Sequence, residues 1–137
     1  MDTLYWALGG FVFWTLLVGF SLTTYRSIFV LTGKKKSNEF PAGVQHGSEF
    51  NWRFNRAHMN CLENVPLFVA VAFLSVSLQK VDSFVNQAAL LILAARVLQT
   101  TTHLISGSPW FVNIRFTFYS IQIISYAAIL LHIFSIL

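Results

Sequence analysis

Arg56-Ala57-His58-Met59-Asn60-Cys61-Leu62-Glu63, running straight into Asn64-Val65-Pro66-Leu67-Phe68-Val69-Ala70-Val71-Ala72-Phe73-Leu74, decides how this chain folds. The second half is apolar enough to sit in hydrocarbon. The first half sets an arginine, an asparagine and a glutamate at its head. At the helical turn angle, Arg56, Asn60 and Glu63 fall at about 0°, 40° and −20°, on one face. Charges that close to a lipid layer are expensive and are kept for a purpose. The stretch therefore reads as the entrance of a membrane helix with a polar stripe on one side.

Composition agrees. Over 137 residues the chain is 55% hydrophobic and 10% charged, where a soluble domain carries about a quarter charged residues. The deficit indicates an integral membrane protein. The net charge of +4 is concentrated in Lys34, Lys35, Lys36 and Arg53, in one connecting segment. No second basic stripe accompanies them, so nucleic acid is not an expected partner. Cys61 is the only cysteine; it allows no intramolecular disulfide and reads as a small packing residue. The N-terminus lacks a basic n-region, and the apolar run from Thr3 is too long for a signal peptide, so it reads as a retained first membrane helix.

Working outward, four segments reach bilayer-spanning length, at about 3–31, 55–78, 83–105 and 109–136. In lipid they must be helices, because every backbone group needs an internal partner. The expected fold is all-α, an integral membrane four-helix up-down bundle forming a single domain over residues 1–137. The connection at about 32–54 is long and polar, and the other two are short. Its lysines and arginine place the first and third connections in the cytoplasm by the positive-inside rule. Pro66 removes one backbone hydrogen bond beside Glu63 and is expected to kink the second helix or to be tolerated there.

The polar residues gather at that same end. Arg26 closes the first helix, Arg56 opens the second, Arg115 lies near the start of the fourth, and Arg96 lies in the third. Helix three repeats the facial pattern, with Arg96, Gln99, Thr100 and His103 at about 0°, −60°, 40° and −20°. Helix four does so with Arg115, Tyr119 and Gln122, within about 60° of one another. Such stripes face a bundle interior or a watery cavity. Several guanidiniums favour carboxylates, while Glu63 and Asn60 suit an ammonium and a peptide group. A small zwitterionic peptide fits this set, and a lipophilic second substrate could enter from the bilayer. Two structural alternatives stand beside it: Arg26 snorkelling to phosphates, and Glu63 pairing with an arginine to join helices. His103 could touch a ligand or cap its helix. The remaining histidines share no face and no metal spacing, so no metal site is expected.

At Arg56 to Glu63 and Pro66-Leu67-Phe68 the sequence resembles the signature of the MAPEG family, the membrane-associated proteins in eicosanoid and glutathione metabolism. The Asn-Cys-x-Glu-x-x-Pro-Leu-Phe part is similar to the leukotriene-forming branch. The resemblance implies a homotrimer with glutathione as co-substrate, bound between neighbouring subunits toward the cytoplasm. It implies glutathione contacts at Arg26, Arg56, Asn60, Glu63 and Arg96, and it aligns Arg115 with the arginine that stabilises the glutathione thiolate. Tyr119 matches a polar aromatic near the site in some members. Gln99 and His103 stand where several enzymes have tyrosine, and are counted with the glutathione-binding set. Met59 and Asn64 also depart from the pattern, and the Arg115 match needs a gap.

The expected activity is glutathione transfer or peroxide reduction on lipophilic substrates, activated by the thiolate. The alternative is a non-catalytic protein that presents a hydrophobic ligand to a partner, like the family's lipoxygenase-activating member. The compact loops tip the expected location to a bacterial inner membrane rather than an internal eukaryotic one.

Overall fold

The computed structural model describes residues 2–41 and 43–135. Among them the chain forms four helices: α1 Asp2–Leu31, α2 Glu49–Ser77, α3 Ser83–Ile105 and α4 Pro109–Ile133. All four are long and apolar enough to cross a membrane. Large apolar side chains such as Trp6, Phe13, Phe20, Phe73 and Trp110 are exposed on their outer faces, as a lipid-facing surface requires. The architecture is the expected all-helical membrane bundle.

Helix ends are set by local chemistry rather than by hydropathy. α2 begins at Glu49 instead of near Asn55, because Ser48 caps it: the Ser48 hydroxyl accepts the Asn51 backbone N–H at 3.2 Å. Such a cap contributes about 1 kcal/mol, enough to carry the helix out through the polar Glu49–Phe54 turns. α1 closes at Gly33, whose φ of 70° lets the Gly33 and Lys34 amides donate back to Val30 and Phe29. That is the glycine-terminated closure expected of a helix end. α2 runs unbroken through Pro66. The sequence reading carried the fourth helix to Ile136, which lies outside the described residues; the described helix closes at Ile133.

Cross-helix pairs fix the directions. Arg26 meets Asn55 and Phe11 meets Phe68 between α1 and α2. Asn60 meets His103 and Cys61 meets Thr100 between α2 and α3. His103 meets Arg115 and Gln99 meets Gln122 between α3 and α4. In each case one number rises as the other falls, so consecutive helices are antiparallel. They are not, however, arranged in chain order around the bundle. α3 packs on all three others, α2 also touches all three, and among the described residues α1 and α4 do not meet. The circuit is α1–α2–α4–α3, with α2 and α3 across the short diagonal.

The interior divides along its length. Toward the N-terminus and the α2–α3 turn it is apolar, built on Phe11, Phe68, Val85, Ile92 and Ile129. Toward the first and third connections (the basic end) the buried residues turn polar: Asn64, Arg96, Gln99, Thr100, His103 and Gln122. Side chains that cannot pack as hydrocarbon leave room there.

Candidate functional site

That room is a cavity of about 620 Å³ at the basic end, between α2, α3 and α4. α2 contributes Arg53, Arg56 and Asn60; α3 contributes Gln99 and His103; α4 contributes Arg115, Phe116 and Tyr119. Six residues singled out from the sequence thus come together on one cavity wall: Arg56, Asn60, Gln99, His103, Arg115 and Tyr119. Helical spacing explains the convergence, since each helix turns its polar stripe to the same interior.

A second groove of about 410 Å³ lies on the other side of α2, against α1. Arg26 and Glu63 line this groove, not the first, while Arg56 and Asn60 line both. The polar stripe of α2 is therefore a partition with an opening on either side. Arg26 does not simply snorkel outward. Its Nη2 donates to Asn55 Oδ1 at 2.8 Å, and its guanidinium lies 5.5 Å from the centre of the Phe40 ring. Lys35 approaches the same ring at 5.5 Å, so the first connection folds back over Arg26. Glu63 is exposed on the flank of α2 and forms no ion pair among the described residues. An ionisable side chain facing outward from the middle of an apolar helix calls for a covering surface or a ligand.

Arg96 stands apart. It is fully buried, with its guanidinium 5.3 Å from the centre of the Phe11 ring, and it lines neither space. Its Nε, Nη1 and Nη2 have no hydrogen-bond partner among the described residues. It lies a turn deeper than Gln99, so the arginines of the four helices do not share one level. Cys61 is buried with its sulfur 3.5 Å from Thr100 Oγ1, in keeping with a packing role.

A hydrogen-bonded chain crosses the cavity wall. Arg115 Nη1 donates to His103 Nδ1 at 2.8 Å. The other ring nitrogen, Nε2, lies 3.2 Å from Asn60 Nδ2. Deeper, Gln122 Nε2 donates to Gln99 Oε1 at 3.0 Å and to the Phe118 carbonyl at 2.9 Å. Arg56 makes no hydrogen bond among the described residues; its guanidinium lies 5.8 Å from the centre of the Trp52 ring. Arg53 approaches Glu49 at 3.8 Å, a solvated pair of little strength. The cavity thus presents three guanidiniums, on Arg53, Arg56 and Arg115, against the single carboxylate of Glu49. Its field favours an anionic ligand.

His58, Asn55 and Trp52 are among the lining residues that the sequence reading does not single out. Helical spacing sets His58 on the side of α2 opposite Arg56, and there it faces α1 and lines the second groove. Its signal is Gly19 on α1: a Cβ there would lie 2.6 Å from His58 Nε2, so the glycine makes the space the ring occupies. Trp52 sits in the turns that a hydropathy boundary assigns to the connection, and Asn55 stands at that boundary.

Among protein families, the model of the MAPEG family matches residues 3–135. Neither the comparison with individual curated proteins nor that with solved structures found a match.

Proposed function

The chain belongs to the MAPEG family, and from that premise we propose that it is a membrane-embedded glutathione transferase or peroxidase acting on lipophilic electrophiles or hydroperoxides. The observation that carries the reading is Arg115. Its guanidinium lines a cavity of about 620 Å³, large enough for a tripeptide, and is held there against His103 with its charge unneutralised by any carboxylate contact among the described residues.

In this reading Arg56, Asn60 and Gln99 take the carboxylate and amide groups of glutathione, and Arg115 faces the sulfur, with Tyr119 one turn on. A free thiol ionises near pH 8.5, and a guanidinium beside it favours the thiolate. The S–H proton passes to water. The thiolate then forms a C–S bond to an electrophilic carbon, whose displaced electron pair leaves with the departing group or is protonated. Toward a hydroperoxide, sulfur attacks the distal oxygen. The O–O bond breaks to give the alcohol and glutathione sulfenic acid, which a second glutathione reduces to the disulfide and water.

Arg26 and Glu63 enter through assembly. A homotrimer in which a neighbouring protomer covers the α1–α2 groove would seal Glu63 from lipid and join that groove to a neighbour's cavity. Arg26 and Glu63 of one subunit would then complete the glutathione site of another. Arg96, buried away from both spaces, reaches a ligand only if the helices part. The lysine-rich first connection orients the cavity mouth to the cytoplasm by the positive-inside rule, and the compact connections favour a bacterial inner membrane. The exposed apolar flanks supply the path for a lipophilic substrate.

The test is a thiolate ultraviolet difference spectrum of glutathione bound to purified protein near neutral pH. A signal in the wild type that disappears in Arg115→Ala is expected. Its absence from the wild type at saturating glutathione would transfer the cavity to the lipid-presenting alternative.

A further inference from the structure

The family resemblance counts His103 among the ligand contacts, yet both of its ring nitrogens face protein groups. We propose that it is instead the positioning residue of Arg115, a neutral imidazole strung between that guanidinium and Asn60. The proposal rests on the glutathione reading for its consequence, but on geometry alone for the arrangement.

The proton positions follow from the donor inventory. A guanidinium only donates, so His103 Nδ1, 2.8 Å from Arg115 Nη1, must offer its lone pair. A neutral ring then carries its hydrogen on Nε2. The partner there is the Asn60 carboxamide, whose Nδ2 stands 3.2 Å away; the oxygen and nitrogen of an amide exchange places by a half-turn of the side chain, and opposite an Nε2 that carries the hydrogen the amide turns so that its oxygen accepts. Arg115 is thereby tied through His103 to Asn60, from α4 through α3 to α2. A protonated ring would point a hydrogen at the guanidinium and lose the contact.

This arrangement suits a residue whose charge is needed elsewhere. An arginine side chain has about 2 kcal/mol of rotamer entropy to lose, and a ring that is nearly fully buried gives it a rigid anchor. One of its five N–H groups is used; the others form no hydrogen bond among the described residues and remain for a ligand. A carboxylate in the place of His103 would hold Arg115 equally well but cancel its charge. The imidazole orients the guanidinium and leaves the positive charge to act on a sulfur.

Two substitutions separate the links. In His103→Asn the amide oxygen lies near the place of Nδ1, so the Arg115 link survives. In His103→Gln the amide reaches the place of Nε2, so the Asn60 link survives and the Arg115 link is lost. Each variant is measured as the full chain in detergent, by thiolate difference spectrum and by S-methylglutathione affinity. The methylated ligand has no thiol to ionise. His103→Asn is expected to keep the thiolate fraction within a few-fold of wild type, and His103→Gln to lower it about tenfold or more. S-methylglutathione affinity changes little in either, which also shows that both fold.

Nitrogen-15 spectra of labelled histidine give the second readout, with no ligand present. They should show a neutral His103 protonated on Nε2, with its Nδ1 signal displaced in Arg115→Met. A ring protonated on Nδ1, an unmoved signal in Arg115→Met, or equal thiolate loss in the Asn and Gln variants would overturn the proposal. A wild type that forms no thiolate while the nitrogen spectra behave as expected would refute the glutathione reading and support the positioning contact.

Discussion

Asp82 is the far anchor of the helix that carries Gln99 and His103, and replacing it should weaken the bundle without touching the cavity. Its Oδ1 accepts the Val85 backbone N–H at 3.0 Å, capping α3, and its Oδ2 meets His132 Nε2 of α4 at 2.7 Å. The Val85 amide first, and then His132, hold the Asp82 carboxyl below the ordinary carboxylate range. Asp82→Ala removes both contacts. The cap is worth about 1 kcal/mol, and the solvated side-chain contact with His132 adds up to about 1 kcal/mol more. Asp82→Asn keeps an oxygen for Val85 and removes only the charge, so its cost should stay under about 1 kcal/mol. Hydrogen exchange at the Val85 amide separates the two, because losing the cap should speed exchange there about fivefold.

The pH dependence has a definite sign. The folded-state value lies below the unfolded one, so Asp82 contributes stability that is present above about pH 4. That stability is lost as pH falls through the lowered folded value. The cap advantage over Asp82→Ala should be steady above about pH 5 and shrink in acid. Asp82 and His103 are separated by about 30 Å of helix, so glutathione affinity should be unchanged in both variants. Equal Val85 exchange in Asp82→Ala and Asp82→Asn would refute the capping argument. A matching loss of ligand affinity would refute the separation of anchor from site.

Three further outcomes are expected. Glu63→Gln should lower glutathione affinity about tenfold or more by calorimetry while light scattering still reports the proposed trimer; dissociation would assign Glu63 to helix pairing. Arg96→Met should raise the unfolding temperature, because a buried guanidinium without a partner costs several kcal/mol and a flexible thioether fills similar space; a lower temperature would show that assembly supplies its partner. Gly19→Ala should displace His58, whose Nε2 lies 2.6 Å from the added Cβ, and reduce glutathione affinity a few-fold with no loss of helicity; an unmoved His58 resonance would mean that α1 shifts instead.

Local chemistry accounts for what was legible from residues alone. Bilayer-length apolar runs specify helices because lipid offers the backbone no other partner, and turn angle alone puts Arg56 with Asn60 and Arg115 with Tyr119 on shared faces. The Arg56–Glu63 signature carried the family, and the family match over residues 3–135 agrees with it. The start of α2 was missed because hydropathy marks where a helix becomes apolar, whereas the Ser48 hydroxyl marks where it begins.

Packing decided the rest. Spacing along one helix cannot say which neighbour a stripe will face, and the α1–α2–α4–α3 circuit answers that by setting α2 and α3 across the short diagonal. Asn60 thereby meets His103, and Arg26 and Glu63 fall on the opposite side of α2 from Arg115. Arg96 and His103 belong to the same stripe of α3, yet one is sealed against Phe11 while the other borders the cavity. The physical reason is depth: the apolar residues of four helices close the interior around Arg96, and two turns further on polar side chains leave it open.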